Sequence, residues 1–146
     1  MIIRDDIPLG YTRDAQGREL TYKNSSGYWH EYTRDAHGRE LIYKDSGGYW
    51  FERTYDAEGR ELTYKNSDGY WYEHTYDAGG RALTYKKEGF SGVRIADGGK
   101  YVLYHDANRG LFKAGCQGPF TRAEALEHWD RDDERAKIFT KAITAL

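Results

Sequence analysis

Between Tyr11 and Tyr85 short aromatic runs alternate with polar turns, and the whole pattern recurs every 21 residues. Asp14, Asp35, Asp56 and Asp77 share one position of the period, and Gly17, Gly38, Gly59 and Gly80 another. Leu20, Leu41, Leu62 and Leu83 follow, then Tyr22, Tyr43, Tyr64 and Tyr85. A fixed period of this size marks a repeat architecture, in which each unit buries its apolar residues against its neighbours. Each period carries two turn signals. Asp-Ala-x-Gly suits a type I turn, with Asp bonding nearby backbone and Gly taking the left-handed conformation. Asn24-Ser25-Ser26-Gly27, Asp45-Ser46-Gly47-Gly48 and Asn66-Ser67-Asp68-Gly69 supply the same chemistry a second time. The runs between, such as residues 49–55 and 60–65, have the length and the aromatic and Thr content of strands. Two strands per repeat predict about eight.

Alternation along a strand sorts side chains between two faces. Leu62 and Tyr64 share one face, and Glu61, Thr63 and Lys65 the other. In the aromatic strand Trp50, Glu52 and Thr54 share a face, with Tyr49, Phe51, Arg53 and Tyr55 opposite. A one-residue slip would invert a strand. The spacing fits a flat meander of hairpins or a coil of one repeat per turn. In the coil, Trp29, Trp50 and Trp71 would stack as a ladder.

The pattern fades at both ends. Residues 1–10 read as a lead-in, with an edge strand expected to end at Pro8-Leu9-Gly10. In the fourth repeat Lys86-Lys87-Glu88-Gly89-Phe90 replaces the second turn, as expected of a capping unit. A hairpin is predicted from residues 93–95 and 101–105, then a short strand at 111–114. Thr121 and Glu124 form a capping box preceded by Phe120, which predicts a helix over 122–129. A second helix is expected over 132–145, with Ala136, Phe139, Ile143 and Leu146 on one stripe. The expected fold is therefore mainly β, with tandem hairpins forming a meander or solenoid-like sheet and a small C-terminal helical cap. Residues 1–95 hold the lead-in and four-repeat sheet, and 96–146 the hairpin and two-helix cap. The helices are expected to cover a sheet edge that would otherwise invite pairing.

Composition narrows the function classes. The net charge is −2 over 146 residues, which gives no electrostatic footprint for nucleic acid. Mean hydropathy is −0.95 although 16% of residues are aromatic. Of the 14 Tyr and four Trp, only Tyr101, Tyr104 and Trp129 lie beyond the repeats. Such side chains bury large area and keep a polar handle for water, so a thin, half-wet sheet is expected. One cysteine, Cys116, rules out an intramolecular disulfide framework. With a charged start and no long apolar stretch, a cytoplasmic protein without a membrane span is expected.

The sentence Thr-Tyr-Asp-Ala-x-Gly-Arg-x-Leu-Thr-Tyr at 54–64 and 75–85 resembles the YD repeat of Rhs-type and teneurin-type shell proteins. The resemblance implies strand-and-turn geometry over residues 11–85. The first two repeats depart from it, with Thr-Arg-Asp in place of Tyr-Asp, and four units are too few for a closed shell. Gly69-Tyr70-Trp71-Tyr72 is similar to the hairpins of choline- and glucan-binding repeats. That similarity implies aromatic cages for a quaternary ammonium or glycan, built from Trp29, Trp50 and Trp71 with Tyr28, Tyr49 and Tyr70. Repeats of this wording before Ala114-Gly115-Cys116, Phe120-Thr121, Glu124-Ala125-Leu126 and His128-Trp129 resemble small phage and prophage accessory proteins. That implies a protein that binds and blocks a host protein, in the manner of anti-defence or anti-CRISPR inhibitors, in the host cytoplasm.

Catalytic and metal chemistry find little support. Cys116 with His105 or His128 matches no nucleophile signature, and a buried corner residue is the commoner use of such a cysteine. The five histidines show no paired spacing for zinc, so neither metal nor cofactor is expected. The Asp/Arg pairs are expected to hold turns, and Lys44 near Trp50 to make a cation–π contact. What remains is a field of Tyr, Trp and Arg with the composition of a protein-binding hot spot. The expected anchors are Trp29, Tyr49, Trp50, Arg53, Tyr70, Trp71 and Tyr72. A sheet aromatic on both faces needs a partner on one of them, either a host protein or a second copy in a homodimer.

Overall fold

A computed structural model describes the whole chain, Met1–Leu146. It divides into two compact units, Met1–Trp71 and Tyr72–Leu146. Both are open antiparallel meanders whose strands follow one another in chain order. The meander, not the coil, is the arrangement adopted, so Trp29, Trp50 and Trp71 fall on alternate strands and form no ladder.

The first unit holds β1 (Gly10–Arg13), β2 (Glu19–Lys23), β3 (Trp29–Arg34), β4 (Glu40–Asp45), β5 (Trp50–Tyr55) and β6 (Glu61–Asn66). The turns between them are built as their letters require. Asp35 Oδ1 accepts from the backbone N–H of His37 and Arg39 at 2.9 and 3.0 Å, and its Oδ2 from Arg39 Nε at 2.6 Å. Asp14 and Asp56 repeat this set with Arg18 and Arg60. Gly38 closes its turn at φ +85°, a conformation open to glycine. A Cβ there would also collide with the Arg18 guanidinium of the preceding repeat. In the second turn Asn24, Asp45 and Asn66 Oδ1 each accept two backbone N–H groups at 2.9–3.2 Å.

Each Asp-x-x-Gly hairpin carries a bulge, and the repeated leucine occupies it. Thr54 stands opposite Thr63, yet Tyr55 stands opposite Glu61, which leaves Leu62 as the extra residue. Leu20 and Leu41 are skipped in the same way. The bulge corrects the alternation expected at this position. Glu61 crosses to the face of Arg53 and Tyr64, where its carboxylate lies 3.5 Å from Arg53 Nε. A bulge re-aims a side chain by inserting one residue against a single partner.

Only Ile7, Trp29 and Ser46 are buried in the first unit, so its sheet is a single layer without an aliphatic core. The lead-in is not an edge strand. It crosses the sheet as an irregular strap over Trp29.

The second unit holds β7, which begins at the boundary residue (Trp71–Tyr76), β8 (Ala82–Lys87), β9 (Phe90–Asp97), β10 (Val102–Asp106), β11 (Leu111–Ala114) and β12 (Gln117–Thr121). The helices are α1 (Arg122–His128) and α2 (Glu134–Thr144). The strand β12, which the sequence did not predict, pairs with β11 across the turn bearing Cys116. The Thr121–Glu124 capping box forms in both directions. Here a conventional core exists. Leu103, Phe112, Ala114, Ala125, Trp129, Ala136, Phe139 and Ile143 are buried together. Each large side chain among them contributes about 1.5–3 kcal/mol by leaving water. The helices thus pack on the last strands, with Ile95, Ala96, Leu103 and Phe112 beneath them and α1 against the end strand β12. Leu146, expected on the buried stripe of α2, lies past its end and is exposed.

Candidate protein-binding surface

One face of the first unit is a band of rings. Tyr11 stands opposite Tyr22, Tyr22 opposite His30, Tyr32 opposite Tyr43, and Tyr43 opposite Phe51. Ring centroids are 4.7 Å apart for Tyr11–Tyr22, 5.4 Å for Tyr22–His30, 5.9 Å for His30–Tyr43 and 5.4 Å for Tyr43–Phe51. Phe51 and Tyr64 continue the band at 5.9 Å. These separations are close to the distance between strands, and the Tyr43 and Phe51 planes differ by only 12°. Tyr43, Phe51 and Tyr64 stack face to face, and the other rings of the band meet their neighbours at tilted angles. Each aromatic pair contributes about 0.5–1.5 kcal/mol, which is how this sheet manages without aliphatics.

Arginines fill the gaps. Arg53 lies 4.7 Å from the Phe51 ring and 5.3 Å from the Tyr64 ring, and Arg34 lies 4.7 Å from Tyr32. The bulges set an acid near these arginines, Glu19 opposite Arg13, Glu40 opposite Arg34, and Glu61 opposite Tyr55 with its carboxylate 3.5 Å from Arg53 Nε. His30 Nε2 pairs with Glu19 Oε1. The face is thus charge-balanced. Burial pushes up the Tyr43 and Tyr32 phenols, with Glu40 adding to Tyr32, so both stay neutral hydrogen-bonding groups. Tyr49 is pushed up first by its hydroxyl contact with Tyr64, at 3.3 Å.

The expected anchors divide between two faces. Tyr49 and Arg53 belong to this tyrosine face, with exposed Tyr28 and Tyr70 along its turn-side margin. Trp29 and Trp50 occupy the opposite face with the Thr12–Thr21 and Thr54–Thr63 hydroxyl pairs and the Glu52–Lys65 ion pair. Trp29 is only 2% exposed and is removed from the set of anchors, because the chain's own lead-in covers it. Its cation is Arg4, whose guanidinium lies 5.0 Å from the ring. Trp50 stands opposite Lys44 and is half-buried. Trp71 closes the first unit, also half-buried.

In the second unit Tyr72 packs with His74 and Tyr85 at 5.4 and 6.3 Å. Tyr85, Phe90, Val102 and Tyr104 are buried beside it, and Lys113 reaches over the Tyr85 ring at 5.7 Å. Burial lowers the Lys113 ammonium, with Lys87 adding to the effect, and its Nζ donates to Gly115 O at 2.7 Å. Cys116 is exposed in its turn. The His105 ring stacks on Phe112, and His128 packs against Phe120 and Trp129. No three His, Cys, Asp or Glu side chains gather as a metal-binding group, and no helix is long and apolar enough to cross a membrane.

Sequence reasoning did not single out Tyr22, His30, Tyr32, Tyr43, Phe51 and Tyr64, the centre of the band. Their signal was present. Alternation from Tyr49 and Arg53 leads to Phe51, and the recurring Tyr22, Tyr43 and Tyr64 stand beside that position across the strands. No family model matches the chain, and no curated protein matches it.

Proposed function

We propose that the chain is a non-catalytic protein-binding module, acting as a phage-encoded inhibitor that occludes a surface of a host protein. The observation that carries this reading is the tyrosine face of the first unit. It offers Tyr, His and Arg side chains, packed into fixed positions by one another, with no second layer of the unit above them. Rigid aromatic groups with polar rims lose little entropy on contact, and such residues dominate interface energetics. Balanced charge on this face favours a protein over a nucleic acid. The cage reading is less well supported, because Trp29 and Trp50 stand on the sheet face opposite Tyr28, Tyr49 and Tyr70, and Trp29 is covered by the lead-in.

The test is reconstitution with a host protein captured by the full chain. A stoichiometric complex that lowers that protein's activity, weakened at least tenfold by Tyr28→Ser with Tyr70→Ser, supports the reading. Thr33→Lys on the opposite face should leave it intact. A complex insensitive to the tyrosine pair and broken by Thr33→Lys would refute this surface.

A further inference from the structure

The lead-in is held on the tryptophan face by main-chain and arginine contacts around Trp29. Ile2 carbonyl accepts from Trp29 Nε1 at 2.6 Å, and Ile2 N–H donates to Ser46 O at 2.9 Å. Arg4 lies over the Trp29 ring, and its Nη2 donates to Glu31 Oε2 at 3.1 Å. Lys23 Nζ donates to Arg4 O at 2.7 Å. The Lys23, Trp29 and Glu31 side chains and the Ser46 carbonyl thus define a site for an extended segment that offers its main chain at Ile2 and an arginine two residues later, the arginine also pairing with Asp6 of its own segment.

The same four letters recur one repeat later as Lys44, Trp50, Glu52 and Ser67. Their geometry recurs as well. Ser46 N–H donates to Trp29 O at 2.9 Å and Ser67 N–H to Trp50 O at 2.9 Å. Trp29 N–H meets Ser46 Oγ at 3.4 Å, and Trp50 N–H meets Ser67 Oγ at 3.2 Å. Lys23 stands opposite Trp29 as Lys44 does opposite Trp50. Exposure is where they part, since Ser46 is buried under the strap while Ser67 and Lys44 are exposed. Glu52 holds Lys65 at 3.1 Å, but both are well exposed, and such a pair is worth about 0–1 kcal/mol, so an arginine can displace it. In the third repeat Glu88 takes the serine position, so the site is not built again there.

We propose that Lys44, Trp50, Glu52 and Ser67 form a second peptide-binding site, which takes an extended arginine-bearing segment of a partner protein as Trp29 takes the lead-in. The partner's main chain bonds to the Trp50 indole and Ser67 carbonyl, and its arginine lies over the Trp50 ring against Glu52. This site is on the opposite face from the tyrosine band and does not rest on that band's binding a host protein.

The test is an NMR titration of the full chain with a synthetic peptide of residues 1–9, following the four indole N–H signals. We expect a saturable shift at Trp50, assigned by its loss in Trp50→Phe, with the Trp29 signal unmoved. Affinity should be weak, near millimolar, because the free peptide lacks the effective concentration of a tethered segment. An Arg4→Glu peptide should bind at least tenfold more weakly, and so should the native peptide on Glu52→Lys protein. No saturable shift, a shift confined to Trp29, or equal binding of the charge-reversed peptide overturns the proposal. Self-association of the full chain that Trp50→Ala abolishes would assign the site to a second copy and overturn it too.

Discussion

A single carboxylate or amide shapes nearly every turn here, by accepting backbone N–H groups two and four residues ahead. Asp106 takes this role furthest. It is fully inaccessible, and its oxygens accept from the N–H groups of Ser91, Asn108 and Arg109 at 2.9–3.1 Å and from Arg109 Nη1 at 3.0 Å. Asp106→Ala would remove four hydrogen bonds at once and leave a gap where a fully inaccessible carboxylate packs. We expect a loss of about 2–4 kcal/mol in urea unfolding. Asp35→Ala, at a turn open to solvent, should cost visibly less because water replaces the lost acceptor. Equal losses at the two positions would refute this account of the turns.

At the scale of the element, the hairpin repeat is the unit that matters. Each repeat adds two strands, so it restores chain direction, bulge position and face assignment together. Deleting residues 35–55 joins Arg34 to the Asp56 turn just as Tyr55 is joined now, and brings Ser67 to the place Ser46 holds under the strap. The shortened chain should fold with an unchanged circular dichroism profile. Its urea m-value should fall roughly in proportion to the surface removed. Deleting 35–45 removes a single strand, reverses the direction of everything after it, and should give an unfolded or aggregated product. If both deletions behaved alike, the repeat would not be the folding unit.

Across the whole molecule, the many turn carboxylates couple stability to pH. Burial alone would raise Asp14, Asp35 and Asp56, but their arginines and backbone donors more than reverse it, and all three titrate below the usual 3.8. Asp77, Asp97 and Asp106 are lowered as well, and Arg4 holds Asp6 at about 2. A carboxyl lowered by folding is bound by fewer protons in the native state than in the unfolded one. Its stabilisation is complete above 3.8 and is lost as pH falls through the native values. Tyr104 is pushed up to about 12 by burial, and Tyr32 and Tyr43 are raised too. Their contribution is present below the ordinary phenol value near 10 and disappears as pH rises through the native ones. The thermal midpoint should therefore decline steeply from pH 4 toward 2 and again above 10. A midpoint level from pH 5 to 2 would contradict the turn chemistry.

The amino-acid order alone decided the period, the two turns of each repeat, the eight repeat strands and the capping box at Thr121. All of these depend on hydrogen bonds between residues within a few positions of each other, so the letters carry them. The tertiary structure decided what lies above each residue. Trp29 and Trp50 hold the same position of the repeat, each between Gly-Tyr and a glutamate two residues on, yet one is buried by a strap that bonds it from 27 residues earlier and the other is half open. Glu61 changes face because Leu62 bulges against a strand from the other side of a turn. Burial and face depend on contacts made across the sheet, and a local pattern holds no record of the segment that will cover it.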